Sequence, residues 1–234
     1  MKKVTILLGL ILTCFSIFFY KNYVFGTVKN YNSTKVETLL DKINLDNIDN
    51  LMIVAHPDDE MIWGGAELIQ NNYLVVCVTC GTDRVRVNEF YKVMSELEHP
   101  YLMLNYPDLV NGKMDKWENG TYDRVFKDVL TIINYKKWNK IVTHNPEGEY
   151  GHIHHIMTSK IVTSNSNKNK LYYFEKYYTK EELSNLDYEL PNIGNDLLNK
   201  KEKILKLYVT QKRVVDVYHH MLEHEEIIPY KDWS

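Results

Sequence analysis

The sequence predicts an α/β fold, one domain built on a doubly wound, mostly parallel sheet and preceded by an N-terminal membrane segment. Three observations carry this expectation. From residue 50 onward, short apolar runs alternate with longer stretches of helical periodicity. Most of the apolar runs are unbroken by polar residues, as strands covered on both faces are. The first 25 residues share neither pattern. Strands that alternate with helices are joined by crossovers, which makes neighbouring strands parallel.

The elements follow in chain order. "MKK" precedes "VTILLGLILTCFSIFFY", 17 residues without a charge. At roughly 1.5 Å per residue that run spans about 25 Å, close to a hydrocarbon core of about 30 Å. Tyr20, Tyr23 and Phe25 suit a membrane interface, and Lys21 can snorkel towards it. Residues 1–25 are therefore expected to be a signal-anchor helix that makes the chain a single-pass membrane protein. A cleaved signal peptide, which leaves a secreted domain, a lipoprotein signal centred on Cys14 and a soluble core helix are the alternatives. Residues 26–48 are polar and read as a linker with room for a short helix, and 49–234 as the domain. Within it, "NLMIVAH", "YLVVCVTCG", "PYLMLNYPD" and "NKIVTHNPEG" are expected strands, and "KLYYFE" offers a fifth. "MIWGGAELIQNN", "RVNEFYKVMSELEH", "YDRVFKDVLTIINYKK" and "HIHHIMTSKIVTS" are expected helices. "LLNKKEKILKLYVTQKRVVDVYHHMLEH" reads as helical to near the end of the chain.

Composition narrows the function. The net charge of −3 offers no basic face, so no nucleic-acid partner is expected. Three cysteines make no disulfide framework. Cys77 and Cys80 have zinc-like spacing but lie in a strand pattern, where positions i and i+3 face opposite ways, so both are expected in the core. His220 and His224, four apart, are expected on an exposed helical face. No GxGxxG follows the first strand, so a dinucleotide has little support.

In doubly wound sheets, ligands bind at the carboxyl ends of the strands. "HPDDE" leaves the first strand, "CGTDR" the second, "YPD" the third and "HNPEGEYGHIHH" the fourth. The metal-capable residues thus gather at one edge of the sheet. His56 and Asp59 are three apart on a tight loop. His152 and His155 are three apart at the start of a helix and share a face. His56, Asp59 and one of the helical pair can assemble a two-His, one-Asp site of the kind catalytic zinc uses, with a position left open for water. A cation there also relieves the repulsion among Asp58, Asp59 and Glu60. Asp58 is then free to act as general base.

"AHPDDE" followed some ninety residues later by "YGHIHH" resembles the PIG-L/LmbE family of zinc-dependent N-acetyl-sugar deacetylases. The resemblance covers roughly residues 48–225. It implies a Rossmann-like fold and hydrolysis of an acetamide on a glucosamine-type sugar, borne by a small molecule or a glycolipid. Position by position, it implies zinc (or another divalent transition metal) on His56, Asp59 and His155, and Asp58 as general base. It implies that His152 assists the oxyanion and the leaving amine, and that Tyr150 polarises the carbonyl. Arg86 and Asp108 match positions that hold substrate. "GTDRVRVNE" is poorer in glycine and glutamate than the family's usual segment after the second strand. Two other functions stay open: a membrane-tethered sugar-binding protein without turnover, and a metal-dependent hydrolase of another amide or ester. A protonated His152 at a helix N-terminus is disfavoured, and Glu147 or Glu149 could offset that.

Overall fold

The computed structural model describes residues 33–186 and 188–233. The expected anchor, residues 1–25, lies outside the described residues. Among the described residues, no helix is long and apolar enough to cross a membrane.

The chain begins with helix α1 (Ser33–Leu40), then β1 (Asn50–Val54), α2 (Asp59–Gln70), β2 (Tyr73–Thr79), α3 (Arg84–Glu96) and β3 (Tyr101–Tyr106). A small hairpin, β4 (Leu109–Val110) and β5 (Lys113–Met114), leads to α4 (Thr121–Asn134) and β6 (Lys140–Thr143). One turn, α5 (Gly148–Gly151), precedes α6 (Ile153–Asn165) and β7 (Leu171–Phe174). Then come α7 (Lys180–Ser184), α8 (Asn195–Leu205), α9 (Lys212–Tyr218) and β8 (Ile227–Pro229).

The main sheet has the order β3-β2-β1-β6-β7-β8. All pairs are parallel except β7–β8. The order runs outward from β1 through β2 to β3, then returns to place β6 on β1's other side. β1 and β6 therefore flank the switch point, and the loops that leave them diverge and open a crevice. The doubly wound α/β reading holds, with an antiparallel edge strand added.

Side chains alternate across the sheet and build two apolar layers. Leu51, Ile53, Val76 and Leu104 face α1, α4 and α6, meeting Val36, Leu40, Val129 and Ile161. Met52, Val54, Val75 and Cys77 face α2, α3 and α8, meeting Met61, Phe90 and Leu205. The short helix for which residues 26–48 had room is thus α1, and its Val36 and Leu40 are fully buried.

Three expectations need correcting. The C-terminal helix expected over 197–224 is broken. α8 ends at Leu205, a 3-10 turn spans Val209–Gln211, and α9 ends at Tyr218 before another turn at His219–Met221. The breaks bring Tyr208 over the sheet edge, where its hydroxyl donates to Glu60. His220 and His224 consequently lie on no common helix face. His220 donates to the Tyr178 carbonyl and His224 to that of Pro191. Cys77 is in the core, but Cys80 lies past the end of β2 at φ 65 and only half-buried, its Sγ 3.9 Å from Asp108. The hairpin and β8 had no counterpart in the sequence reading, because runs of two or three residues carry no periodicity.

Candidate functional site

The site forms where the β1 and β6 loops part. After β1 the chain turns sharply through Pro57 and Asp58, whose φ of 124° is strained for a side-chain-bearing residue. That strain starts α2 at once, so Asp59 stands on its first turn and points back over the sheet. Asp59 Oδ2 accepts the His56 amide at 2.7 Å, which closes the loop. The β2 loop passes so close to β3 that a Cβ on Gly81 would lie 2.3 Å from the Leu104 carbonyl oxygen, so only glycine fits.

After β6 comes a second tight turn. Asn145 pins it by accepting the amides of Glu147 and Glu149 and donating to the Glu175 carbonyl. Gly148 (φ 68) and Glu149 (φ 54) are both left-handed, which reverses the chain and turns the Glu149 carboxylate inward. Tyr150 is thrown outward and is 39% exposed, its ring stacked on Tyr218 at 4.8 Å. His152 then caps α6, its Nδ1 accepting the His154 amide at 3.3 Å.

Three side chains converge. His56 Nδ1 lies 3.2 Å from Asp59 Oδ2 and 3.3 Å from His155 Nε2, and His155 Nε2 lies 3.3 Å from Asp59 Oδ1. A tetrahedral ion with bonds of roughly 2.0–2.1 Å sets its ligand atoms about 3.3 Å apart. The donor types, two imidazoles and a carboxylate, suit a small divalent cation, although Asp59 meets the two histidines through different oxygens. Overlapping sets that could hold one are His56 with His152 and His155, Asp59 with His144 and His155, and His56 with Asp108 and His154.

Each of the three consecutive acids has its own partner. Asp58 faces the Arg86 guanidinium at 3.4 Å. Asp59 faces the histidines. Glu60 accepts the Asp58 amide at 3.0 Å and the Tyr208 hydroxyl. Their titrations separate accordingly. Burial and the Asp59 charge push Asp58 up to about 7 against the pull of Arg86. Burial opposes ionisation of Asp59, yet His155 and His56 hold it well below the usual carboxylate range. Burial pushes Glu60 up to about 8. Adjacent acids therefore differ in protonation at neutral pH, the separation expected of groups with different tasks.

His152 is held neutral. Burial, then the facing His56 and His155, lowers it to about 3. Because the His154 amide donates to its Nδ1, the ring proton sits on Nε2 and is available to an acceptor. Glu147 is exposed and pairs with Lys176, while Glu149 is spent on other histidines, so neither offsets a charge on His152.

The structure brings His56, Asp58, Asp59, Tyr150, His152 and His155 together around one crevice. Arg86 and Asp108 reach it from its β2–β3 side. Arg86 also donates to the Pro57 carbonyl, and its buried Nε has no hydrogen-bond partner among the described residues. Asp108 Oδ1 lies 3.4 Å from His56 Nε2. Sequence reasoning missed His144 and His154, and it set Glu149 against His152 and not against the histidines it meets. Glu149 Oε2 is 2.5 Å from His155 Nδ1 and 2.9 Å from His144 Nδ1. Burial works against its charge, but those two histidines hold it down to about 2. His144 stacks on His155 at 3.9 Å and accepts the Ala55 amide with Nε2. His154 stands behind His56, with Nδ1 3.1 Å from His56 Nε2. A polar residue directly after a buried strand, as in "VTHN", was the one signal available for His144.

Fold and site define a class: an α/β domain with a buried histidine–carboxylate cluster at the switch point of a parallel sheet, able to hold a metal ion. Residues 51–166 match the PIG-L family, described as GlcNAc-PI de-N-acetylase. An uncharacterized protein of Acanthamoeba polyphaga mimivirus is 30% identical over 203 residues, which cover 80% of this chain and 82% of the relative. The chain belongs to the PIG-L family.

Proposed function

We propose that the chain is a metal-dependent hydrolase that removes the N-acetyl group from an N-acetylglucosamine-type sugar or glycoconjugate, with zinc on His56, Asp59 and His155. The observation that carries this is the mutual 3.2–3.3 Å approach of those three side chains beside an Asp58 whose carboxyl is pushed up to about 7. When bound, the ion polarises the acetamide carbonyl and acidifies water.

The chain's own residues supply the rest. Asp58 takes a proton from water as its oxygen bonds to the acetamide carbon. A carboxyl near neutrality suits both halves of the reaction, because the proton it gains can pass to the departing nitrogen when the C–N bond breaks. Acetate and the free amine leave. His152 donates from Nε2 to the developing oxyanion as a neutral imidazole. Its lowered pKa favours that hydrogen-bonding role over proton delivery, so the amine's proton comes from Asp58. Tyr150 offers a neutral phenol at the rim, its ionisation pushed far up by burial. Arg86 and Asp108 hold sugar hydroxyls. Residues 1–25 support a membrane tether by their hydropathy alone, and carbonate-resistant sedimentation of the full chain tests it.

The test of the reaction is release of amine from N-acetylglucosamine conjugates by the full chain, with and without chelator. Chelator-sensitive release, restored by zinc, is the expected result. Sugar binding without any release overturns the reading and leaves a binding protein.

A further inference from the structure

We propose that His154, the unassigned histidine of "GHIHH", is a positioning residue that fixes the tautomer of His56. The inference rests on the metal-hydrolase reading above. A chain of hydrogen bonds anchored on a main-chain carbonyl carries it. His154 Nε2 lies 2.7 Å from the Asp115 carbonyl oxygen. A carbonyl only accepts, so that nitrogen bears the proton. A neutral imidazole has one N–H, so Nδ1 of His154 is an acceptor. It lies 3.1 Å from His56 Nε2, which therefore donates. In a neutral His56, Nδ1 is then the nitrogen with the lone pair, and it is this atom that meets Asp59 and His155.

The arrangement matches one on the opposite side by a different device. Glu149 accepts from His155 Nδ1, which leaves His155 Nε2 bare and turned inward. Both histidines thus present unprotonated nitrogens to one point, as metal ligands must. His155 is backed by a carboxylate and His56 by an imidazole anchored on main chain. Successive helical residues diverge by about 100°, so His154 and His155 reach different neighbours from adjacent positions.

The surroundings hold His154 to this task. It is fully buried, and Trp117 stacks on it at 4.9 Å and 14°. Trp117 is itself tied to the Pro107 carbonyl at 2.8 Å. The hairpin segment that carries Asp115 and Trp117 thereby sets the ring of a residue on the far side of the crevice. Asp108 Oδ1 is the competing acceptor, 3.4 Å from His56 Nε2 and 3.5 Å from His154 Nδ1. His154 Nδ1 accepts at the shorter distance, and the partly exposed Asp108 faces both rings at the longer ones.

The test uses the full chain as wild type, His154→Phe and His154→Asn. Phenylalanine keeps a ring against Trp117 and loses both nitrogens, whereas asparagine keeps an acceptor close to the Nδ1 position. Zinc affinity is measured by chelator competition and stoichiometry by elemental analysis. Ring ¹⁵N NMR reads the His56 tautomer. The expected result is one zinc in wild type and affinity about 10–100-fold weaker in His154→Phe. Recovery of most of it is expected in His154→Asn, with the Nε2–H form of His56 dominant in wild type and Asn and mixed in Phe. Wild-type affinity in His154→Phe overturns the inference and leaves the hydrolase reading intact. So does equal loss in both variants with unchanged His56 tautomer, which marks a merely structural residue. Two zinc ions in wild type falling to one in His154→Phe makes His154 a ligand of a second site, which also overturns it. A wild-type chain that binds no zinc sinks the hydrolase reading itself.

Discussion

Two buried polar clusters lie at opposite ends of α2, and they are built on opposite rules. At its far end the Lys201 and Glu225 side chains form a largely buried ion pair at 2.8 Å. Gly64 breaks α2, and the Glu225 carboxylate accepts the amides of Ala66 and Glu67, both at 2.8 Å. Lys201 also donates to the Leu222 carbonyl. One positive charge meets one negative charge, and the amides around the kink are capped. At the near end are three consecutive acids and five histidines, with left-handed backbone at Asp58, Cys80 and Glu149. There Asp58 is pressed against Asp59, and Arg86 Nε has no partner among the described residues. Balanced burial makes a staple, whereas like charges held together on strained backbone make a cluster that could hold a cation.

The largest effect that separates the clusters is on turnover. Asp58→Asn should lower amine release about 10²–10⁴-fold while zinc content stays near one, because shape is kept and only the proton acceptor is lost. The same variant should stabilise the metal-free protein. The folded carboxyl is raised to about 7, above an unfolded value of roughly 3.9. Its contribution to stability is therefore complete below the unfolded value and is lost as pH rises through about 7. Urea midpoints of the metal-free Asn variant should exceed wild type at pH 8, and the gap should close towards pH 4. A variant less stable at pH 8 would place Asp58 with the staple.

Glu225→Ala should behave in the reverse sense. Breaking the buried pair should cost about 3–5 kcal/mol of folding free energy, read from chemical denaturation, with kcat of the folded fraction nearly unchanged. Next in size is Glu149→Gln, which removes the carboxylate behind His155. Zinc affinity should fall about 10–100-fold in chelator competition, and unchanged affinity would show that Glu149 only braces the turn. The smallest effect is on pH. Arg86 opposes the rise of the Asp58 carboxyl, so Arg86→Gln should move the acidic limb of kcat/KM to higher pH. A limb that stays in place would uncouple Arg86 from the base.

Much of this was legible in the sequence, and the reasons are local. His56, Asp58 and Asp59 follow one buried strand within a single turn, so their nearness needed no knowledge of the rest of the chain. His152 and His155 share a face because helical periodicity puts them there. The four main strands and the helices between them announced themselves by unbroken apolar runs and by the 3.6-residue period. The C-terminal segment misled for the same reason. Its apolar spacing is helical throughout, but Tyr208 gains a buried partner in Glu60 only if the helix stops before it.

By itself, then, the sequence determined the α/β class, the edge of the sheet at which chemistry gathers, and the family's motif residues, since each depends on neighbours within a few positions. Only the tertiary structure decided which residues stand behind them. Glu149 and His144 meet Asp59 and His155 because β6 lies beside β1, a pairing of strands some ninety residues apart. His154 reaches His56 from one side and Asp115 from the other because a hairpin with no periodicity of its own folds over the crevice. Proton positions on the histidines follow from those contacts, and a ring nitrogen's role is set by the partner across from it, which chain order does not record.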